Sequence, residues 1–241
     1  MTRLGQHFLK NEEILEKLIE LGEIKPTDIV LEPGCGDGKL TEKLAKQGCK
    51  VIAIEIDEKL ASIAANRLAM YDNVRLIIGD LLRVKPTGFN KVIGNPPYYI
   101  SSRLIHWLIT GPMPELMVMT LQREFAEKLC ARPKQDNYVY LSVLTQLFYD
   151  VKVYGVAPRR YFSPPPKVSS RIVIMRRKPK IHPNILNHIW LIKNLFTRKR
   201  HLIKRELKKL DIEIPPQLIG KRIYEIDVEN YYNLLSKLTP Q

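Results

Sequence analysis

The stretch LEPGCGDGKLT, residues 31–41, decides the fold class of this 241-residue chain. It has glycines at positions 34, 36 and 38, and it lies between the apolar run DIVLE (28–32) and the helical pattern KLTEKLAKQG (39–48). A glycine-rich turn lets a ligand approach the backbone where a Cβ would obstruct it. Ligands of open α/β sheets bind beyond the carboxyl ends of the strands, so this turn predicts a binding site there.

Strand-like and helix-like patterns alternate on both sides of the glycine turn. Predicted helices cover 12–22, 39–48, 58–70, 123–131 and 138–148, and predicted strands cover 28–32, 51–55, 74–78, 91–95, 116–121, 151–156 and 171–177. Such alternation implies a parallel sheet with helices on both faces. The last two strands, joined by a proline-rich loop, can add an antiparallel edge. We therefore predict an α/β fold with a mixed seven-stranded sheet.

The pattern changes after Lys178, where the remaining segments are helical and prolines separate them. Predicted helices cover 183–196, 199–210 and 228–238, and no strand pattern follows. We therefore predict two domains, an α/β domain over residues 1–178 and a small helical domain over residues 179–241.

The composition narrows the class of protein. Apolar residues make up 45% of the chain, which favours a folded core over disorder. The three cysteines, Cys35, Cys49 and Cys130, form no CxxC pair, which argues against a disulfide framework or a zinc site. The N-terminus lacks the apolar core of a signal peptide, and no window is long enough to cross a membrane. We expect a soluble, cytoplasmic protein that needs no metal, and the sequence leaves its oligomeric state open.

Positive charge is concentrated near the C-terminal end. The net charge is +14, and residues 176–222 contain 14 Lys and Arg side chains but only three acids. A concentrated excess of this kind favours a polyanionic partner, most often a nucleic acid. A solvated helix face is the alternative interpretation.

The spacing of the glycines excludes two common nucleotide sites. A dehydrogenase fingerprint needs a third glycine where the chain has Lys39, and a P-loop needs a hydroxyl residue where it has Leu40. Acidic residues instead stand at the ends of three successive predicted strands: Glu32, Glu55 and Asp80. Glu55 is spaced to accept hydrogen bonds from ribose hydroxyls, and Asp80 is within reach of an adenine amine. The pattern predicts a nucleoside pocket without a phosphate site, and S-adenosylmethionine is such a ligand.

The segment KVIGNPPYYIS, residues 91–101, follows the fourth predicted strand and faces the same pocket. The Asn95 side-chain oxygen and the Pro96 carbonyl can accept the two hydrogens of an adenine amine and aim its nitrogen at a sulfonium methyl group. Tyr98 offers a face on which a flipped-out base can stack. Phe162, which precedes the rigid loop SPPP, is a candidate for the opposite face of the base.

Six motifs carry a resemblance to a known family. GQHFL (5–9), LEPGCGDGKLT, AIEID (53–57), GD (79–80), NPPYYIS and FSPPPKVSSR are similar, in order and spacing, to motifs of the KsgA-type small-subunit (16S) rRNA adenine dimethyltransferases. The resemblance implies an S-adenosylmethionine-dependent methyltransferase with a Rossmann-like fold. Its implied activity is N6,N6-dimethylation of two adjacent adenosines near the 3′ end of small-subunit rRNA during ribosome assembly.

The resemblance also implies roles for individual residues. The cofactor-binding residues would be His7, Leu9, Gly34, Gly36, Glu55, Asp80 and Asn95. Asn95 and Tyr98 would hold the target base; Pro96 and Phe162 are catalytic candidates on the chemistry given above, not on the resemblance. The segment FTRKRHLIKREL (196–207) is similar to the basic C-terminal helix of the family, so the RNA-binding residues would be Arg198, Lys199, Arg200, Lys204 and Arg205.

One departure from the family pattern keeps other functions open. Pro96 stands where the family usually has Leu or Ile, and NPPY is more typical of DNA adenine methyltransferases. The alternatives are a large-subunit rRNA methyltransferase of the macrolide-resistance type, a DNA adenine methyltransferase and a non-catalytic RNA-binding assembly factor. The absence of a separate target-recognition segment argues against DNA, and the intact acidic pocket argues against loss of activity.

Overall fold

The structure is a computed structural model that describes residues 7–238. Over these residues one seven-stranded sheet forms, with the strands β2 (Ile29–Pro33), β3 (Lys50–Glu55), β4 (Val74–Ile78), β5 (Lys91–Gly94), β6 (Leu116–Gln122), β7 (Tyr149–Ala157) and β9 (Ser170–Arg177). Two shorter strands, β1 (Phe8–Leu9) and β8 (Phe162–Ser163), form a separate antiparallel pair.

The order of strands in the sheet is β4-β3-β2-β5-β6-β9-β7. The pairs from β4 across to β6 are parallel, and β9 runs antiparallel to β6. This confirms the predicted α/β fold with a mixed seven-stranded sheet and an antiparallel edge. Because β2, β3 and β5 are parallel neighbours, the segments that follow them meet at one edge of the sheet.

The helices of the described residues are α1 (Glu12–Leu21), α2 (Lys39–Ala45), α3 (Glu58–Leu68), α4 (Leu81–Val84), α5 (Ser101–Thr110), α6 (Arg123–Leu129), α7 (Tyr140–Phe148), α8 (Pro183–Asn187), α9 (Ile189–Phe196), α10 (Ile203–Lys208) and α11 (Val228–Ser236). Side-chain caps begin several of them. At the start of α1, the side chain of Asn11 accepts a hydrogen bond from Ile14 N. At the start of α3, the side chain of Asp57 accepts hydrogen bonds from Lys59 N and Leu60 N.

The central strands are buried because their sequences are apolar almost throughout. Val92, Ile93, Met117 and Val118 have no exposed surface, as expected for parallel strands covered on both faces. One apolar cluster includes Leu15 and Leu18 of α1 together with residues of β2, β3, β5, β6 and β9. This core holds the ends of β2 and β5 at fixed positions.

The chain forms two compact units, each made of two segments. The first ends at Ala126 and resumes over Lys152–Arg177, and the second takes Glu127–Val151 and the chain from Lys178 onward. The second unit therefore includes α7 as well as the C-terminal helices. The functional division into an enzymatic domain over 1–178 and a helical domain over 179–241 stays a prediction.

Two predicted helices differ from those in the structure. The pattern over 183–196 forms α8 and α9, which are separated at His188. The pattern over 199–210 becomes helical only at Ile203. The reason is that the carbonyls of Lys199 and His201 accept from the backbone N–H groups of Tyr224 and Ile223, so they are not available to a helix.

Candidate active site

The glycine turn between β2 and α2 has the backbone conformation that its sequence predicts. Gly34, Gly36 and Gly38 have φ values of +75°, +59° and +80°, a region that side chains with a Cβ disfavour. The N–H groups of Gly34 and Cys35 donate to Ile54 O at 2.9 and 3.0 Å, which ties the turn to β3. The turn is therefore a rigid cradle beside the carboxyl ends of β2 and β3.

Two of these glycines also allow close packing. A Cβ on Gly34 would lie 2.8 Å from Pro97 Cδ, and a Cβ on Gly36 would lie 3.2 Å from Phe8 Cδ1. Glycine is therefore needed at position 34 for contact with the NPPY segment (Asn95–Tyr98) as well as for its φ angle. The glycine turn and the NPPY segment touch directly.

Glu55 ends β3 with a buried carboxylate that points at the glycine turn. Its Oε2 accepts from Gly36 N at 2.9 Å, and its Oε1 accepts from Ile56 N and Asp57 N, each at 2.9 Å. These bonds fix both oxygens in place. A carboxylate is an acceptor, so Glu55 suits a ligand that brings hydroxyl donors to the cleft.

Glu32 and Cys35 lie beside the same turn, and both are buried. Burial raises the pKa of Glu32 to about 8, although Thr41 Oγ1 donates to Glu32 Oε2 at 2.6 Å and partly opposes the shift. Glu32 therefore carries a proton in the protein alone at neutral pH, and a cationic ligand in the cleft favours its ionised form. Burial also raises the pKa of the Cys35 thiol, which agrees with a packing role.

Asp80 follows β4 and caps α4, with its Oδ1 accepting from Leu82 N at 2.9 Å. Its side chain is 38% exposed and does not line the cleft described below. Burial raises the pKa of Tyr99, and the negative charges of Asp80 and Glu55 add to that shift. Asp80 and Glu55 are therefore near Tyr99, and contact between Asp80 and a ligand stays a prediction.

The NPPY segment forms one wall of a cleft at the end of β5. This cleft is lined by His7, Phe8, Gly34, Glu55, Asn95, Pro96, Pro97 and Tyr98. A second recess beside Phe8 reaches Glu32 and the glycine turn, and it shares Gly34 and Asn95 with the first. The structure thus brings together most of the predicted cofactor residues and three of the four residues predicted to act on the base.

The side chain of Asn95 is held from two directions. Its Nδ2 donates to the carbonyl of His7 at 2.8 Å, and its Oδ1 accepts from the hydroxyl of Thr120 on β6. Asn95 is half-buried, so the remaining hydrogen-bonding capacity of its amide faces the cleft.

Tyr98 is fixed by its hydroxyl and leaves its ring at the cleft. The Tyr98 hydroxyl lies 2.5 Å from Ser170 Oγ, at the start of β9, and shares a hydrogen bond with it. Burial raises the pKa of Tyr98, so the phenol stays neutral at physiological pH. The ring centroid lies 5.5 Å from that of His7, with the two planes at 32°.

The N-terminal segment closes the other side of the cleft. Phe8 and Leu9 pair with Ser163 and Phe162, and Lys10 N donates to Tyr161 O at 2.8 Å. Gly5 and Gln6 of the GQHFL motif lie outside the described residues. Phe8 contributes a ring to both recesses, although sequence reasoning assigned it no role; its position between His7 and Leu9, both implied by the resemblance, was the available signal.

The structure does not bring Phe162 to the cleft. Its side chain is only 3% exposed and belongs to the apolar core cluster that also contains Leu9. The strand pairing of Leu9 with Phe162 explains this burial. Stacking of Phe162 on a base, as predicted, therefore requires its side chain to leave the core.

The predicted RNA-binding residues lie in the second unit, and they differ in whether their side chains already bond to other residues of the protein. Arg198 Nη1 lies 3.4 Å from Glu206 Oε2, and Lys199 Nζ donates to Asp136 O at 2.7 Å. Glu206 also accepts hydrogen bonds from Lys209 and His201. These bonds lower the pKa of Glu206 to about 2, and the bond from Lys209 has the largest effect. Lys204 and Arg205, by contrast, are exposed on α10 and form no ion pair with a described residue.

Two kinds of site are not found in residues 7–238. No group of three or more His, Cys, Asp or Glu side chains in this range could hold a metal ion. None of the helices in the same range combines the length and apolar character that a bilayer crossing requires.

The cleft fits an adenosine-based ligand without phosphate. It offers a glycine cradle and a carboxylate that is fixed by three backbone hydrogen bonds. No Lys or Arg other than Lys39 lines the two recesses, so a phosphate group has little to pair with among the described residues. S-adenosylmethionine meets these conditions.

Known proteins similar to this chain agree with the geometry. A family model described as "Ribosomal RNA adenine dimethylase" matches residues 1–235. A relative from Thermotoga maritima, named "Ribosomal RNA small subunit methyltransferase A", is 35% identical over 97% of this chain and 84% of its own length.

Two solved structures are similar over almost the whole chain. A dimethyladenosine transferase from Plasmodium falciparum is 32% identical, with a TM-score of 0.79 over 95% of this chain and 96% of its own. The 23S rRNA methyltransferase ErmE is 25% identical, with a TM-score of 0.71 over 95% of this chain and 100% of its own. The chain therefore belongs to the ribosomal RNA adenine dimethylase family and is an S-adenosylmethionine-dependent RNA methyltransferase.

Proposed function

We propose that this protein dimethylates N6 of two adjacent adenosines near the 3′ end of small-subunit rRNA, within a small ribosomal subunit or its precursor. The observation that carries the proposal is the single cleft in which the NPPY segment faces Gly34 and Glu55. The name of the T. maritima relative supports the small subunit as the substrate. Action during ribosome assembly, and with it a cytoplasmic location, are parts of the same proposal.

The proposed cofactor residues surround the glycine turn. Gly34 and Gly36 give a ligand access to the backbone, Glu55 accepts from ribose hydroxyls, and Asp80 reaches the adenine of the cofactor. His7, Leu9 and Asn95 complete the pocket from the N-terminal segment and from β5. When bound, S-adenosylmethionine supplies a methyl group on a positively charged sulfur, and the fixed carboxylate of Glu55 adds negative charge beside that site.

The residues of the NPPY segment hold and orient the target amine. The Asn95 Oδ1 and the Pro96 carbonyl accept its two hydrogens, which concentrates the nitrogen lone pair and directs it into the cleft. The Tyr98 ring supports the flipped-out base. Orientation supplies most of the rate enhancement, because the amine needs no strong base before the methyl group is transferred.

The proposal is tested by methyl transfer from labelled cofactor to unmethylated small subunits, large subunits and DNA. We expect label in small subunits, recovered as N6,N6-dimethyladenosine after digestion to nucleosides. Label in large subunits instead would favour the alternative that ErmE represents, to which this chain is less similar. Label in none of the three would favour an RNA-binding protein without activity.

The assignment of Asn95 is tested separately. Asn95→Ala should lower the transfer rate by about 100-fold or more, as loss of a group that stabilises charge in a transition state does. Asn66→Ala is the matched control, because Asn66 is exposed on α3 and lines neither recess. A normal rate in Asn95→Ala would remove this residue from the mechanism.

A further inference from the structure

Thr120 is a polar residue in the middle of an apolar strand. Strand β6 reads LMVMTLQ, and Thr120 has no exposed surface. A buried hydroxyl without a partner is costly, so its partner indicates what the residue does. Strands β5 and β6 are parallel with Gly94 opposite Met119, so the next residues along them, Asn95 and Thr120, run side by side.

The hydroxyl of Thr120 donates to Asn95 Oδ1, and Asn95 Nδ2 donates to the His7 carbonyl. A carbonyl oxygen can only accept, so the nitrogen of the amide must face His7 and its oxygen must face Thr120. The two bonds together define both the rotation and the flip of the Asn95 side chain.

We propose that Thr120 is a positioning residue for methyl transfer, which orients the Asn95 amide for the incoming adenine amine. This inference rests on the proposed function and deepens it. Thr120 occupies one of the two lone pairs of Oδ1, and the second lone pair is left for a hydrogen of the amine. Without the hydroxyl, the amide is held from the His7 side alone, and rotation about its last side-chain torsion is only weakly restricted.

Substitution of Thr120 by valine and by serine separates positioning from packing. Thr120→Val keeps the shape of the side chain and removes the hydroxyl, whereas Thr120→Ser keeps the hydroxyl and removes a methyl group. We expect kcat to fall about tenfold in Thr120→Val, which corresponds to ~1.4 kcal/mol. In Thr120→Ser we expect kcat within about threefold of the unchanged protein. In Thr120→Val, the KM for S-adenosylmethionine should change less than kcat, because Thr120 reaches the cofactor recesses only through Asn95.

Thr145→Val is the matched control for removing a buried threonine hydroxyl. Thr145 Oγ1 is buried in α7 and has no hydrogen-bond partner among the described residues. This variant should keep kcat and should unfold at the same temperature or a higher one, because it removes an unsatisfied polar group.

A spectroscopic measurement tests the orientation of Asn95 without relying on activity. In ¹⁵N-labelled protein, the side-chain amide signals of Asn95 are those missing from the Asn95→Ala spectrum. These signals should shift or broaden in Thr120→Val and stay close to their original positions in Thr120→Ser. If Thr120→Val fails to fold, Thr120→Ala supplies the same two measurements.

The outcomes separate this inference from the proposed function. Normal transfer by Asn95→Ala would overturn the assigned chemistry as a whole. Loss of transfer in Asn95→Ala, combined with normal kcat in Thr120→Val, would overturn only the role of Thr120. A loss in Thr120→Ser as large as that in Thr120→Val would also overturn it, because packing rather than the hydroxyl would then explain the effect.

Discussion

Replacing Gly34 by alanine tests the contact between the glycine turn and the NPPY segment. Gly34 has a φ of +75°, and its new Cβ would lie 2.8 Å from Pro97 Cδ, closer than real Cβ contacts occur. The positive φ costs about 1–2 kcal/mol for a residue with a Cβ. Overpacking against Pro97 adds about 1–3 kcal/mol. We therefore expect Gly34→Ala to lower the free energy of unfolding by about 2–5 kcal/mol.

Two other glycines separate these contributions. Gly88 has a φ of +81° with nothing within 4 Å of an added Cβ, so Gly88→Ala carries only the cost of the backbone conformation. Gly155 also has open space and no positive φ, so Gly155→Ala reports the general effect of exchanging glycine for alanine. The difference between Gly34→Ala and Gly88→Ala isolates the contact with Pro97.

Thermal unfolding measures all three variants. At about 2–4 °C per kcal/mol for a chain of this size, Gly34→Ala should unfold about 4–20 °C lower and Gly88→Ala about 2–8 °C lower. Below these temperatures Gly34→Ala should still lose at least about tenfold in transfer rate, because Pro97 must shift and misplaced reacting groups slow a reaction steeply. Equal unfolding temperatures for Gly34→Ala and Gly88→Ala, with normal transfer, would refute the direct contact between the turn and the NPPY segment.

Three further predictions concern charge and hydrogen bonding. Burial raises the pKa of Glu32 to about 8. In the folded protein Glu32 therefore keeps a proton that it loses near pH 4.5 in the unfolded chain. The free energy of unfolding should fall by a few kcal/mol as the pH rises from about 4.5 to 8. Glu32→Gln should remove that slope in urea titrations at several pH values, and an unchanged slope would assign it to other groups. Ser170→Ala and Tyr98→Phe should each lower the free energy of unfolding by about 1–2 kcal/mol. The double variant should lose less than the sum of the two, because removing both partners leaves no unsatisfied hydroxyl. Strictly additive losses would contradict this prediction. The double variant Lys204→Gln/Arg205→Gln should reduce the salt dependence of RNA binding by the equivalent of up to about two phosphate contacts. The double variant Lys59→Gln/Lys152→Gln, at exposed sites in the other unit, should leave the salt dependence unchanged. Equal salt dependence in the two double variants would mean that the exposed face of α10 is solvated and does not bind RNA.

The sheet was predictable because each of its strands carries a local signal. VRLII forms the edge strand β4 over the predicted residues 74–78, and the other strands of the sheet differ from prediction by one or two residues at one or both ends. The pair β1 and β8 was not predicted, because two-residue strands have no period and their paired residues are 153 and 155 positions apart in the chain. Because the pairing of β1 with β8 determines the burial of Phe162, the position of Phe162 could not be predicted from the sequence around it.

The cleft was predictable as a set of residue types and less so as a set of contacts. Glycines and acids at successive strand ends indicate a pocket because parallel strands end at one edge. The partners of those residues come from elsewhere: the His7 carbonyl, the Thr120 hydroxyl and the Ser170 hydroxyl. A threonine in an apolar strand and a serine at a strand start have the same local appearance whether or not they serve a site.

These contacts hold the four residues of the NPPY segment in the arrangement that the proposed function requires. Pro97 is packed against the glycine turn, Asn95 is bonded to the N-terminal segment and to β6, and Tyr98 is bonded to β9. The hydrogen-bond partners of Asn95 and Tyr98 come from different parts of the chain. The geometry of the cleft therefore exists only when β1, β6 and β9 are all in register. A one-residue slip of β6 would turn Thr120 to the other face of the sheet and would leave Asn95 without one of its two supports. The antiparallel pairing of β6 with β9, seven residues long, therefore orients the groups that are proposed to bind the amine and also stabilises the sheet.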